Sequence, residues 1–384
     1  MTSRERVILS ISHKEPDRIP VDLGGTEVSS ICKKAYLDLM IYLGFEIGQS
    51  EREIHDISVQ LPKIDKRLME WIGVDVMPLF PNPPSAWTRV IVDERNYWSY
   101  VDQWGATLSM PKNGHYFDFR KFPLQSSSLK SMEFMNWPDP DDPARTVGLR
   151  KRAKELFEMT NYALVGTSLF GGGIFEQPAR VRGMEEYFMD CACNVQFADA
   201  MMEKITEIYL KATDNYLNEV GEFIQVFCYW DDIAAQDGPF ISPSFYRKYI
   251  KPKQKRLFDL IRSKTEAKIF LHCCGACYDF IPDFIEIGVD ILNPIQVSAK
   301  NMDNTAKLKR EFGRAIVFWG GGINSQMTLP FGTPQQVRDE VKRRINDLAA
   351  GGGFVFNSGH NIQNFVPPEN IVAMYEALKE NCKY

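Results

Sequence analysis

The sequence predicts an α/β fold, a closed (β/α)8 TIM barrel, on three observations. Eight short, near-continuous apolar runs recur along the 384 residues. Most are followed by a helix-length amphipathic stretch, the pattern of parallel strands covered on both faces by crossover helices. Polar residues gather just after the runs, where barrels of this kind build their sites. An open, doubly wound sheet is the other arrangement of the same units.

In order, strands are predicted at 19–23, 74–80, 162–170, 223–230, 268–271, 289–295, 315–319 and 354–357. Ser242-Pro243 supplies an N-cap and a first-turn proline before Phe245, Tyr249 and Ile250. Thr333-Pro334-Gln335-Gln336 is a capping box ahead of the stripe Val337, Val341, Ile345 and Leu348. Gly351-Gly352-Gly353 ends that helix, and Pro367-Pro368 opens the last one, with Ile371 and Leu378 on its apolar face. The chain reads as one domain, 1–384, with an insertion over 85–142 between the second and third strands. That insertion carries Trp87, Tyr97, Trp98, Tyr100 and Trp104, and predicts a hairpin turning at 93–96. It packs on its own domain or caps an apolar substrate, being placed over the mouth of the barrel.

Composition narrows the function classes. Hydrophobic content of 44% with 25% charged residues belongs to a globular protein, and the net charge of −5 gives no broad basic surface for nucleic acid or an acidic membrane. Cys32, Cys191, Cys193, Cys228 and Cys382 stand apart from the cluster Cys273, Cys274 and Cys277, a pattern of reduced cytoplasmic thiols. No signal-peptide core follows Met1, and the uncharged stretch 315–337 is interrupted by glycines and prolines, so a membrane span is not expected.

The strand ends supply the candidate site. Among only five histidines and eight cysteines, one His and three Cys fall between 272 and 277. His272 and Cys274, at the end of the fifth strand, with His360 after the eighth, form a three-ligand set for a zinc with one open position. The same residues also read as two histidines hydrogen-bonding in a polar cavity beside a packed cysteine. Cys274 and Cys277 have the spacing of a redox pair. Asp231 and Asp232 end the fourth strand, where a paired carboxylate suits a general base or an N–H anchor; with His360 they are the catalytic candidates. Asp22, Thr26, Gln236, Asn293, Gln296, Asn324 and Asn357 are the substrate-binding candidates at the same rim. The glycine runs 171–173 and 320–322 lack phosphate-loop spacing and read as places of close backbone approach.

Arg4-Glu5-Arg6-Val7, His13-Lys14-Glu15-Pro16-Asp17-Arg18-Ile19-Pro20, His272-Cys273-Cys274-Gly275, Asn357-Ser358-Gly359-His360 and Val366-Pro367-Pro368-Glu369-Asn370 together resemble the uroporphyrinogen decarboxylase superfamily. The superfamily includes the cobalamin-dependent methyltransferases, and the resemblance spans essentially the whole chain. It implies a barrel enzyme, often a homodimer. The decarboxylases hold the porphyrinogen carboxylates with arginines of an N-terminal Arg-Gln-Ala-Gly-Arg-Tyr motif; here 22–28 reads Asp-Leu-Gly-Gly-Thr-Glu-Val, with no arginine. The methyltransferases carry His-x-Cys on strand five, present here, and a cysteine near the end of strand eight, where this chain has His360. The resemblance therefore implies methyl transfer between a small substrate and a corrinoid held by a separate protein, with zinc. Decarboxylation of a tetrapyrrole is the alternative, and a non-catalytic ligand-binding barrel a third class.

Overall fold

The computed structural model describes residues 1–48, 53–85, 87, 89–126 and 128–384. Its strands, in chain order, are β1 (Ile54–Asp56), β2 (Leu61–Pro62), β3 (Val76–Leu79), β4 (Val92–Glu94), β5 (Tyr97–Val101), β6 (Thr107–Pro111), β7 (Asp118–Lys121), β8 (Ala163–Thr167), β9 (Val226–Trp230), β10 (Lys268–His272), β11 (Ile291–Asn293), β12 (Val317–Trp319) and β13 (Phe354–Val355). Seven of them form one parallel sheet in the order β3, β8, β9, β10, β11, β12, β13. Their side chains are almost wholly buried, as strands covered by helices must be.

The predicted first strand is reduced to a single bridge. Val21 pairs in parallel with Phe356. The Asp22 N–H donates to Phe356 O at 2.9 Å, and on the other side the Asp75 N–H donates to Val21 O at 2.8 Å. The segment thus takes the eighth place between β13 and β3 and closes the barrel. It cannot extend further, because Pro20 has no N–H and Gly24, at φ +82°, turns the chain.

Helix punctuation follows the sequence. Thr333 and Gln336 form their reciprocal capping box, and Val337, Val341, Ile345 and Leu348 are buried. Ser242 caps the turn Pro243–Phe245, which continues through a π-helical turn into the helix Lys251–Lys264. The stretch 315–337 divides into β12, the short helix Thr328–Phe331 and the start of Pro334–Leu348; among the described residues no helix is long and apolar enough to cross a membrane.

The insertion is larger in structure than the hairpin predicted. That hairpin is β4–β5, and β6 and β7 extend it to a four-stranded antiparallel meander. It has a small core of its own around Tyr100, Ala106, Leu108, Met110 and Phe117. Trp104 leaves that core and packs edge-on against Phe170 of the barrel at 5.2 Å between ring centroids.

The N-terminal motifs lie far from the strand ends that carry chemistry. Asp75, immediately before β3, is fully buried and receives Arg6 and Arg18, each at 2.7 Å. Arg6 also holds Asp17 at 2.7 Å. These motifs lock the closing segment to the barrel.

Candidate functional site

Three donors converge at the C-terminal ends of the strands. The ligand atoms of His272, Cys274 and His360 lie within 4.8 Å of one another. The His272 Nε2–Cys274 Sγ separation is 3.1 Å. A tetrahedral zinc, with bonds of about 2.0–2.3 Å, sets its ligands roughly 3.3–3.8 Å apart, inside that range. β10 delivers His272 at its last residue, and Gly275, at φ +87°, turns the chain back beneath Cys274.

The two histidines are wired differently. Asn293 donates its Nδ2 to Trp319 O at 2.8 Å, which leaves its Oδ1 facing His272 Nδ1 at 2.5 Å. Nδ1 of His272 therefore carries the proton, and the lone pair on Nε2 is free beside Cys274, the usual arrangement of a metal-binding histidine. His360 Nδ1 instead accepts the Asn361 N–H at 2.8 Å, so in the neutral ring the proton sits on Nε2. Using His360 Nε2 as a ligand moves that proton to Nδ1 and gives up the Asn361 contact. Burial, with His360 alongside, holds His272 down to about 3, and burial takes His360 down to about 4, so both rings are neutral. Burial, reinforced by the charges of Asp232 and Glu176, pushes the Cys274 thiol well up. The donor set fits a metal, with His272 already in the form required.

Cys277 does not pair with Cys274: its thiol is hydrogen-bonded with Cys273, and all the cysteines are free.

Two cavities meet at these donors. The larger, about 460 Å³, is lined by His272 and His360 and by the insertion, with Trp104, Phe119, Phe170 and Trp230 among its walls. The smaller, about 210 Å³, is lined by Cys274, Gln296, Ile323 and His360. The insertion both packs on its own small core and walls the larger chamber.

The sequence-predicted residues divide between chamber and scaffold. Asp232 lines the larger cavity, and its Oδ1 accepts the Cys274 N–H at 2.6 Å. Burial and the neighbouring Glu176 push its carboxyl up. Asp231 faces the other way. It accepts the backbone N–H groups of Phe175 and Glu176, the Tyr229 hydroxyl and the Gln254 amide, capping the helix Glu176–Arg182. A Cβ on Gly173 would fall 2.2 Å from Asp231 Cγ, so the first glycine run serves this close approach. Asp22 is fully buried, accepting from Gly25 N and Trp319 Nε1 at 2.8 Å each. Thr26 pairs with the Ser29 hydroxyl, and Asn357 donates to Asp22 O and Ser29 O. Asn324 accepts from the N–H groups of Gln326 and Met327. Asn293 orients His272. These six, Asp231 included, have partners within the scaffold and line neither cavity. Gln296 lines the smaller cavity, accepting the Gly275 N–H at 2.7 Å and donating to Gln236 at 2.8 Å.

The larger chamber also holds groups the strand-end reading passed over: Glu27, Gln177, Arg180 and Trp230. Glu27 could have been found as a carboxylate in the glycine-rich turn after the first strand. Burial raises it to about 8, with Asp56 adding to the shift. Arg180 is paired with Glu176. Nothing in the sequence marks Gln177 beyond its place after the glycine run.

A family model described as uroporphyrinogen decarboxylase matches residues 105–381, more than half of the chain. The chain belongs to this family. A uroporphyrinogen decarboxylase from Geobacter sulfurreducens is 26% identical over 183 residues, 47% of this chain and 48% of that protein. Another, from Trichlorobacter lovleyi, is 26% identical over 278 residues, 68% of this chain and 74% of that protein. The chain spans about half the length of the first curated relatives it matches. Among solved structures, a methyltransferase from Methanosarcina mazei superposes over 99% of both chains, with a TM-score of 0.65 and 16% identity, a likeness of fold. Proteins of both names thus have this barrel, and the fold alone does not discriminate between the two activities.

Proposed function

We propose that the protein is a methyltransferase that moves a methyl group between a small substrate and a corrinoid carried by a separate protein, with zinc at the strand ends. The single observation that carries this reading is the donor set His272, Cys274 and His360 at the junction of two cavities. His272 and Cys274 would hold the metal, with His360 as the third ligand. Zinc held there would supply a Lewis acid that lowers the pKa of a bound thiol, alcohol or water. Asn293 fixes the tautomer and angle of His272. Asp232, its carboxyl pushed up by burial and by Glu176, is placed beside Cys274 to exchange a proton with a group entering from the larger chamber. The insertion, with Trp104 and Phe119, forms one wall of that chamber.

Decarboxylation of a uroporphyrinogen-like tetrapyrrole is the second reading, favoured by the names of the curated relatives. The chamber's cations count against it. Of the two arginines in its described lining, Arg89 and Arg180, the second is already paired with Glu176, poor provision for a polycarboxylate.

Two assays separate the readings. With methylcobalamin as methyl donor and a panel of small thiols, alcohols and amines as acceptors, the zinc-loaded protein should demethylate the corrinoid, and Cys274→Ala should not. No demethylation, together with loss of carboxylates from added uroporphyrinogen, would overturn the methyltransferase in favour of the decarboxylase.

A further inference from the structure

The larger chamber contains polar groups that the protein itself leaves unsatisfied. Gln177 is 1% exposed, and neither its Oε1 nor its Nε2 has a hydrogen-bond partner. The Ser168 hydroxyl, at 5% exposure, has none either. Both residues line the chamber. An unpaired buried amide or hydroxyl costs on the order of 1–3 kcal/mol, so such groups in a cavity wall point to a ligand that pairs them.

Glu27 lines the same chamber, and its carboxylate forms no ion pair among the described residues. It accepts a long hydrogen bond from the hydroxyl of Thr167, at 3.4 Å, next in sequence to Ser168. Trp87, Trp104, Phe119, Phe170 and Trp230 are among the chamber's walls, with Trp104 and Phe170 in edge contact at 5.2 Å, and Arg180 beside Gly171 is already paired with Glu176. A carboxyl group with no counter-ion among the described residues, held raised until a cation enters to ionise it, in a chamber with aromatic walls is an arrangement that suits organic cations.

We infer that the larger chamber takes a methylated ammonium compound bearing a hydroxyl or similar group, its cationic head near Glu27 and its polar end paired by Ser168 and Gln177. This deepens the methyl-transfer reading by naming its substrate class, and rests on it only for the chemistry that follows binding.

Binding can be measured without turnover, using choline and its uncharged carbon isostere 3,3-dimethylbutan-1-ol as probes in calorimetry on the purified full chain. Choline should bind saturably, and the isostere at least tenfold more weakly. Glu27→Gln should weaken choline at least tenfold and leave the isostere unchanged, and Gln177→Leu should weaken both. No binding of choline, or equal binding of the isostere to the wild-type protein, would overturn the inference even if a variant failed to fold. The zinc content of the same preparation reports separately on the metal site, so the two ideas fail independently.

Discussion

The two ends of the barrel treat buried charge in opposite ways. At the N-terminal end Asp75 is fully buried and fully paired, held by Arg6, Arg18 and the Val21 N–H. At the C-terminal end, among the described residues, Glu27 has no cation and the Gln177 side chain no hydrogen-bond partner, and the His272, Cys274 and His360 donor atoms face one another. One end spends its polar groups on closing the barrel, and the other leaves them available. Family motifs fall at both ends, so a motif alone does not distinguish scaffold from site.

The largest expected effect is on the paired end. Asp75→Ala strips Arg18 of its carboxylate and leaves Arg6 only Asp17, and should cost about 3–5 kcal/mol in urea denaturation. Zinc bound per folded chain should not change. A cost under about 1 kcal/mol, or loss of zinc from the folded fraction, would break the contrast between the ends.

Next come the two histidines. Because His272 is already in the ligand tautomer and His360 is not, His272→Ala should weaken zinc binding more than His360→Ala, measured by competition with a chromogenic chelator. The reverse order would mean that the Asn361 contact does not govern His360. Asn293→Ala, which frees the His272 ring without touching a donor, should weaken zinc about 10–100-fold in the same assay.

The smallest effect concerns stability against pH. Folding raises the Glu27 carboxyl from 4.5 to about 8. The native state then binds the extra proton between those values, so this group's contribution to stability falls as pH rises through that window. Glu27→Gln should therefore be more stable than the wild type at pH 8, with the gap closing towards pH 5. A gap that widens at low pH would contradict the raised carboxyl.

The barrel was legible because near-continuous apolar runs spaced by helices leave few other folds. The donor set was legible too, because scarce residue types crowded at one strand end. Side-chain direction was not legible. Asp231 and Asp232 are neighbours at the end of an extended strand, so they point to opposite sides, and only one reaches the chamber. Asp22 and Asn357 sit at strand ends as predicted, yet the turn at Gly24-Gly25 and the loop at Gly359 absorb their hydrogen bonds. The short first strand reflects Pro20, a local constraint that its apolar run conceals. The meander grew beyond one hairpin because β6 and β7 show mixed burial that no simple alternation announces.

The proposed zinc at the open end would sit on His272 and Cys274. The most direct test is zinc per chain by mass spectrometry, in wild-type and Cys274→Ala protein purified side by side without chelators. About one zinc per wild-type chain, lost in the folded variant, is the result predicted. No zinc in the wild type, or an equal amount in both, would contradict it.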